Sequence, residues 1–220
     1  TIARQAQLGR GWTMPVKWHW FSPDMPAVHS ALGERSIGWP AVARLAVVFN
    51  PEHPGPAAQV LNTVLIGLAA ALWGVVAAQV AGSVLAGFVM APLLLLSANT
   101  LVVATAALSE PLYLVELGLL ALVLSPAQSG KIRPPLGGQL AGLLTLAAFL
   151  TRPSGAVVIV AVLAHLLLNC GCDRRPWLLF LCIWGLVTAL GVLAFRLAVI
   201  RAWGESHSLT SAHLVVMNIT

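Results

Sequence analysis

Seven carboxylates are all that this chain of 220 residues carries, and their placement relative to one arginine defines what chemistry it can do. Arg152, in Thr151-Arg152-Pro153, interrupts the otherwise apolar run from Gln139 to Leu168. A charge at bilayer depth costs roughly 2.5 kcal/mol or more on insertion, so it belongs at an interface or in a polar cavity. A guanidinium there has two uses. Its planar fork suits phosphate oxygens; alternatively its long stem carries the charge to the surface and it only ends a helix before Pro153. Glu110 precedes Pro111 at a predicted helix start, where a carboxylate suits the positive end of the dipole, so capping accounts for it ahead of a role at a site. Glu116 lies about 9 Å deeper along the same helix and must find an internal partner or carry a proton. Asp24 follows Ser22-Pro23, a common turn signal. His165 reads as a core or interfacial histidine, and His207, His213 and Glu205 would hold a metal only if folding gathered them, so no metal site is assigned.

These side chains need elements to hold them. Taken as one helix, Gln139 to Leu168 would be about 45 Å long, too long for a hydrocarbon core of about 30 Å. A hairpin that turns at Arg152-Pro153 solves this. It also puts Lys131 and Arg133 on the same side as Arg174 and Arg175, as the positive-inside rule prefers. Ile37 to Phe49 is apolar but short, contains Arg44, and ends at Pro51, Pro54, Gly55 and Pro56, so it reads as an interfacial or re-entrant helix. Gln59 to Val80 is long enough to cross, Gly82-Ser83 turns the chain, and two helices meet between Asn99 and Pro111. Trp177 to Ile200 crosses last.

Hydrophobic residues make up 59% of the chain and charged ones 9%, with a mean hydropathy of +0.89, which a soluble domain of this size does not show. The expected fold is therefore an all-α integral membrane bundle of about six transmembrane helices. It comprises an extracytoplasmic loop and interfacial helix over residues 1–56, the bundle over 57–200, and an extracytoplasmic tail over 201–220. Counting crossings puts the loop, Glu110, Arg152 and the tail on the outer face, so that Asp24, Glu110 and Arg152 can meet there. The net charge of +5 reflects loop bias, and no basic stripe with interleaved aromatics calls for nucleic acid. Cys170, Cys172 and Cys182 cluster around the Arg174-Arg175 loop on the reducing side and read as free thiols. No signal peptide is visible and Thr1 stands where methionine would, which leads us to expect a fragment of a longer protein.

Read in order, several short motifs form a pattern. Asp24 is followed by Gly38-Trp39-Pro40, Leu61-Asn62 opens the next helix, and Pro92 lies within the one after. Ser109-Glu110-Pro111-Leu112-Tyr113 then starts a helix, and Leu150-Thr151-Arg152-Pro153 ends one. From about Asp24 to Ile200 this order resembles the integral-membrane glycosyltransferases of the GT-C type, the protein O-mannosyltransferase-like family that uses polyprenyl-phosphate sugars. Trp39 stands where that family usually has tyrosine, and its members are longer.

The resemblance implies a transferase in a bacterial plasma membrane that moves a sugar from a polyprenyl-phosphate donor to an acceptor on the outer side. An outward-facing carboxylate would take the acceptor's proton while the lipid phosphate leaves the anomeric carbon. On this reading Asp24 is the base with Glu34 as the second acidic residue, Arg152 and Arg201 face the lipid phosphate, and Glu110 and Trp39 line the substrate. The polyprenyl-phosphate sugar and membrane lipid are the partners, and the chemistry admits a divalent cation without requiring one. A second class stays open: a membrane scaffold or transporter with Arg152 and Glu116 lining a polar passage. Transport would be favoured by internal repeats, and none is visible.

Overall fold

The computed structural model describes residues 13–14, 29–30, 38–50, 52–97, 100, 109–128, 131–152, 154–168 and 174–217. Among these the chain is helical apart from one small antiparallel pairing of β1 (Thr13–Met14) with β2 (His29–Ser30), in which Thr13 faces Ser30. The helices are α1 (Gly38–Phe49), α2 (Pro54–Ala81), α3 (Val84–Leu96), α4 (Glu110–Gln128), α5 (Pro134–Thr151), α6 (Gly155–Leu168) and α7 (Arg174–Met217).

Three of them contain stretches long and apolar enough to cross a membrane: Gly55–Ala81, Pro134–Thr151 and Arg175–Ala198. The fold is therefore that of a helical membrane protein. The helices α3 and α6 are as apolar but shorter. On α3 the side chains of Val84, Leu85, Phe88, Leu93 and Leu96 all stand exposed, a contiguous apolar face of the kind that lipid covers and water does not.

Small residues set how the helices pack. In α5 the buried positions are Gly137, Gly138, Ala141, Gly142, Thr145, Ala148 and Thr151, which let a neighbouring backbone approach closely. That neighbour is α7. Gly138 meets Phe180 and Ile183, Gly142 meets Trp184 and Val187, and Leu146 meets Gly191. Phe149 then packs edge-on against Phe195 at 6.3 Å between ring centroids. Contact positions rise together along both helices, so α5 and α7 run in the same direction. The helix α6 carries the chain back alongside α5: Val158, Val162 and Leu166 join Ala141, Ala148, Phe180 and Trp184 in the core. Trp177, near the start of α7, donates its indole N–H to the Leu166 carbonyl at 2.7 Å. One polar relay crosses the α5–α7 seam. Thr145 Oγ1 donates to the Ala141 carbonyl at 2.7 Å and accepts the Trp184 indole N–H at 3.1 Å, so both buried groups are satisfied.

The helices α2 and α3 form an antiparallel pair. Gly74 lies against Gly87 and Ala91, and Gly87 against Ala78. The turn between them is at Gly82, whose φ of 62° is left-handed and costs glycine nothing, and its backbone N–H caps the Ala78 carbonyl.

Two boundaries differ from the sequence expectation. The helix α2 begins at Pro54 rather than Gln59, because prolines fall in its first turn, where no N–H is needed and φ is already helical. The helix α7 does not stop near Ile200 but runs to Met217, since no proline follows Pro176 to break it. The bounds of α1 fall within the expected Ile37 to Phe49, and the two helices expected to meet between Asn99 and Pro111 end at Leu96 and begin at Glu110.

Candidate functional site at one end of the bundle

The site is built on a helix end that the sequence forces. A residue before proline is pushed out of the helical region, and Arg152 accordingly has φ −145° and ψ 145°, ending α5 at Thr151. Its N–H still closes the last turn on the Ala148 carbonyl at 3.1 Å, and its own carbonyl accepts the Gly155 N–H at 2.9 Å, which starts α6. The turn is so tight that a side chain at Gly155 would collide with the Ala148 carbonyl, so glycine is required by close approach. A tight turn at Arg152 thus joins α5 to α6, with Lys131 and Arg133 before α5 and Arg175 at the start of α7, both at the opposite end of the α5–α7 pair.

Three residues of α4 face this turn at intervals of three, a spacing that keeps side chains on neighbouring parts of one helix face. Glu110, in the first turn, accepts from Arg152 Nη1 through Oε1 at 2.9 Å. Tyr113 lies beneath the guanidinium, whose carbon is 5.8 Å from the ring centroid, within reach of a cation–π attraction. Glu116, one turn deeper, accepts the Thr151 hydroxyl through Oε1 at 2.8 Å. The remaining oxygens, Glu110 Oε2 and Glu116 Oε2, are buried without a hydrogen-bond partner among the described residues.

Burial grades along this face. Arg152 and Glu110 are 34% and 31% exposed, whereas Glu116 and Thr151 are 7% and 1% exposed. The outer pair is partly wet and contributes modestly, about 1 kcal/mol or less. The inner pair is sealed, and there an unmade hydrogen bond is costly. The start of α1 sits on the same spot: Gly38 rests on Thr151, where a methyl group would fall 2.8 Å from the Thr151 Cα. Trp39, half-buried, packs on Ala43 beside it. Asn62 is fully buried in the first part of α2.

Of the site residues proposed from sequence, Arg152 and Glu110 come together, joined by Tyr113 of the same motif as Glu110, and Trp39 stands on the α1 helix that seats against them through Gly38. Glu110 was read first as a cap; it does open α4, but its side chain also pairs with Arg152. Arg201 is exposed on α7. Because α7 runs parallel to α5 with Phe195 beside Phe149, Arg196 and Arg201 follow toward the same end as Arg152. Asp24 and Glu34 lie outside the described residues, as do Cys170, Cys172 and the side chains of Glu205, His207 and His213. Among the described residues no group of three or more His, Cys, Asp or Glu is placed to hold a metal ion. The role of Thr151 was missed. Its sequence signal was faint: a polar residue one position before a charged helix stop, on the helix's buried stripe.

The chain matches no known protein-family model, no curated protein and no solved structure.

Proposed function

We propose that this protein is a membrane glycosyltransferase that moves a sugar from a polyprenyl-phosphate donor to an acceptor on the extracytoplasmic side of a bacterial plasma membrane. One observation carries the reading. The segments Gly38-Trp39-Pro40, Ser109 to Tyr113 and Leu150 to Arg152, which carry the resemblance, are far apart in sequence yet gather at one end of the bundle. Packing alone asks for no cation, carboxylates and aromatic at that junction.

In the proposed topology the chain crosses six times from α2 onward, and the Arg152 end faces outward. Asp24 takes the proton of the acceptor hydroxyl as that oxygen attacks the anomeric carbon, and the lipid phosphate departs. Arg152 and Arg201 neutralise the charge that develops on the phosphate, with Arg152 oriented by Glu110 and by the face of Tyr113. Trp39 and Glu110 line the path of the sugar.

The test is transfer of label from a radiolabelled polyprenyl-phosphate sugar by membranes containing the protein. Wild-type membranes should label an acceptor, and Asp24→Asn should lower the rate by about 10², the usual size of a general-base contribution. Absence of transfer above vector-only membranes, across a panel of donor sugars, would dismiss the reading.

A further inference from the structure

Thr151 is where three helices meet. Its hydroxyl donates to Glu116 Oε1 on α4 at 2.8 Å. Its backbone and Oγ1 form the seat for Gly38 at the start of α1. The next residue is Arg152, which leaves the helix and pairs with Glu110. Glu116 itself is 7% exposed within an apolar helix, and its second oxygen has no hydrogen-bond partner among the described residues. A carboxylate is an expensive way to fill such a position, because well-packed apolar side chains generally stabilise as much or more. Stability does not explain it. What the carboxylate supplies and leucine does not is a directional bond to one hydroxyl, and that hydroxyl belongs to the residue that sets where Arg152 begins.

We infer that Glu116 is a positioning residue: by holding the Thr151 hydroxyl it fixes the end of α5 against α4, seats α1 on that end, and so places the Arg152 guanidinium beside Glu110 and Tyr113. What Arg152 then binds rests on the transferase reading, but the geometry does not. The three elements form a single junction because all meet at Thr151: α4 on its hydroxyl, α1 on its hydroxyl oxygen and backbone, and the Arg152 turn by chain continuation. Releasing the hydroxyl frees the helix end to shift and removes the fixed surface under Gly38.

The test separates position from stability. Replacing both partners, Thr151→Val with Glu116→Leu, leaves no orphaned polar group, so folding should survive. Thr151→Ser keeps the hydroxyl and serves as the conservative rescue. Spin labels at the exposed positions Ala41 and Ser154 report the distance between α1 and the Arg152 turn by pulsed electron resonance in nanodiscs. Wild type and Thr151→Ser should give one narrow distance, and the double variant a broad distribution, with polyprenyl-phosphate affinity lowered roughly tenfold, as loss of one charged hydrogen bond produces. A double variant as narrow as wild type overturns the inference whatever its affinity, and so does broadening in Thr151→Ser. If the distribution broadens while the wild-type protein binds no polyprenyl phosphate, the positioning role stands and the transferase reading falls.

Discussion

At the scale of single residues, the site separates two jobs that a sequence shows as similar charges. Arg152 was legible, because a guanidinium before proline inside an apolar run has few places to go. The internal partner required of Glu116 was also legible, but its identity was not: Thr151 lies 35 positions away, and nothing in one-dimensional spacing selects it. The Arg152–Glu110 bond was foreshadowed only by a shared membrane face. Exchanging Arg152 for lysine tests what the fork is for. Lysine can still reach Glu110 and the surface, and the pair is partly exposed, so unfolding in detergent should change by about 1 kcal/mol or less. Donor affinity, if the guanidinium grips phosphate through two nitrogens, should fall by roughly 1 to 3 kcal/mol. Equal donor binding by both proteins, measured by titration in detergent, would reduce Arg152 to an anchor.

At the scale of elements, glycine distribution does more than apolar periodicity to decide which helices touch. Every helix here is apolar on most of its surface, so a hydrophobic pattern cannot say which face is inside, and helix existence was readable where helix partners were not. Gly138 and Gly142 mark the α5–α7 seam because a Cβ there meets the other helix: one at Gly142 would lie 2.8 Å from Val187 Cβ. Gly67 on α2 has nothing within 4 Å of the same atom. The two glycines should therefore respond oppositely to alanine. Gly142→Ala should cost about 1 to 3 kcal/mol through overpacking, while Gly67→Ala should be neutral or slightly stabilising through helix propensity. Thermal unfolding of the two variants in one detergent checks the contrast. The unexpected reach of α7 to Met217 has a simpler cause, since a polar sequence without a breaker extends an established helix.

At the scale of the whole molecule, the parallel course of α5 and α7 requires α6 to return the chain, which in the proposed topology puts Lys131 and Arg175 on one membrane face and Ser154 on the other. Single cysteines at these positions, with the native cysteines replaced, make this measurable. An impermeant thiol reagent added outside should label position 154 and spare 131 and 175 until the membrane is opened. Labelling of 131 and 175 from opposite sides would break the hairpin. The same topology carries a consequence for the order in which the protein is made. The helix α6, with 14 residues, spans about 21 Å and is too short to cross a core of about 30 Å unaided. In the proposed topology it enters with α5, and Arg152 crosses the bilayer at the crest of the pair. By then α4 has already left the ribosome. Glu110 precedes Arg152 by 42 positions, roughly 2 to 8 s of translation, so the carboxylate is synthesised before the cation it pairs with. In the proposed topology the guanidinium therefore reaches the outer face with its counter-charge already synthesised and placed there.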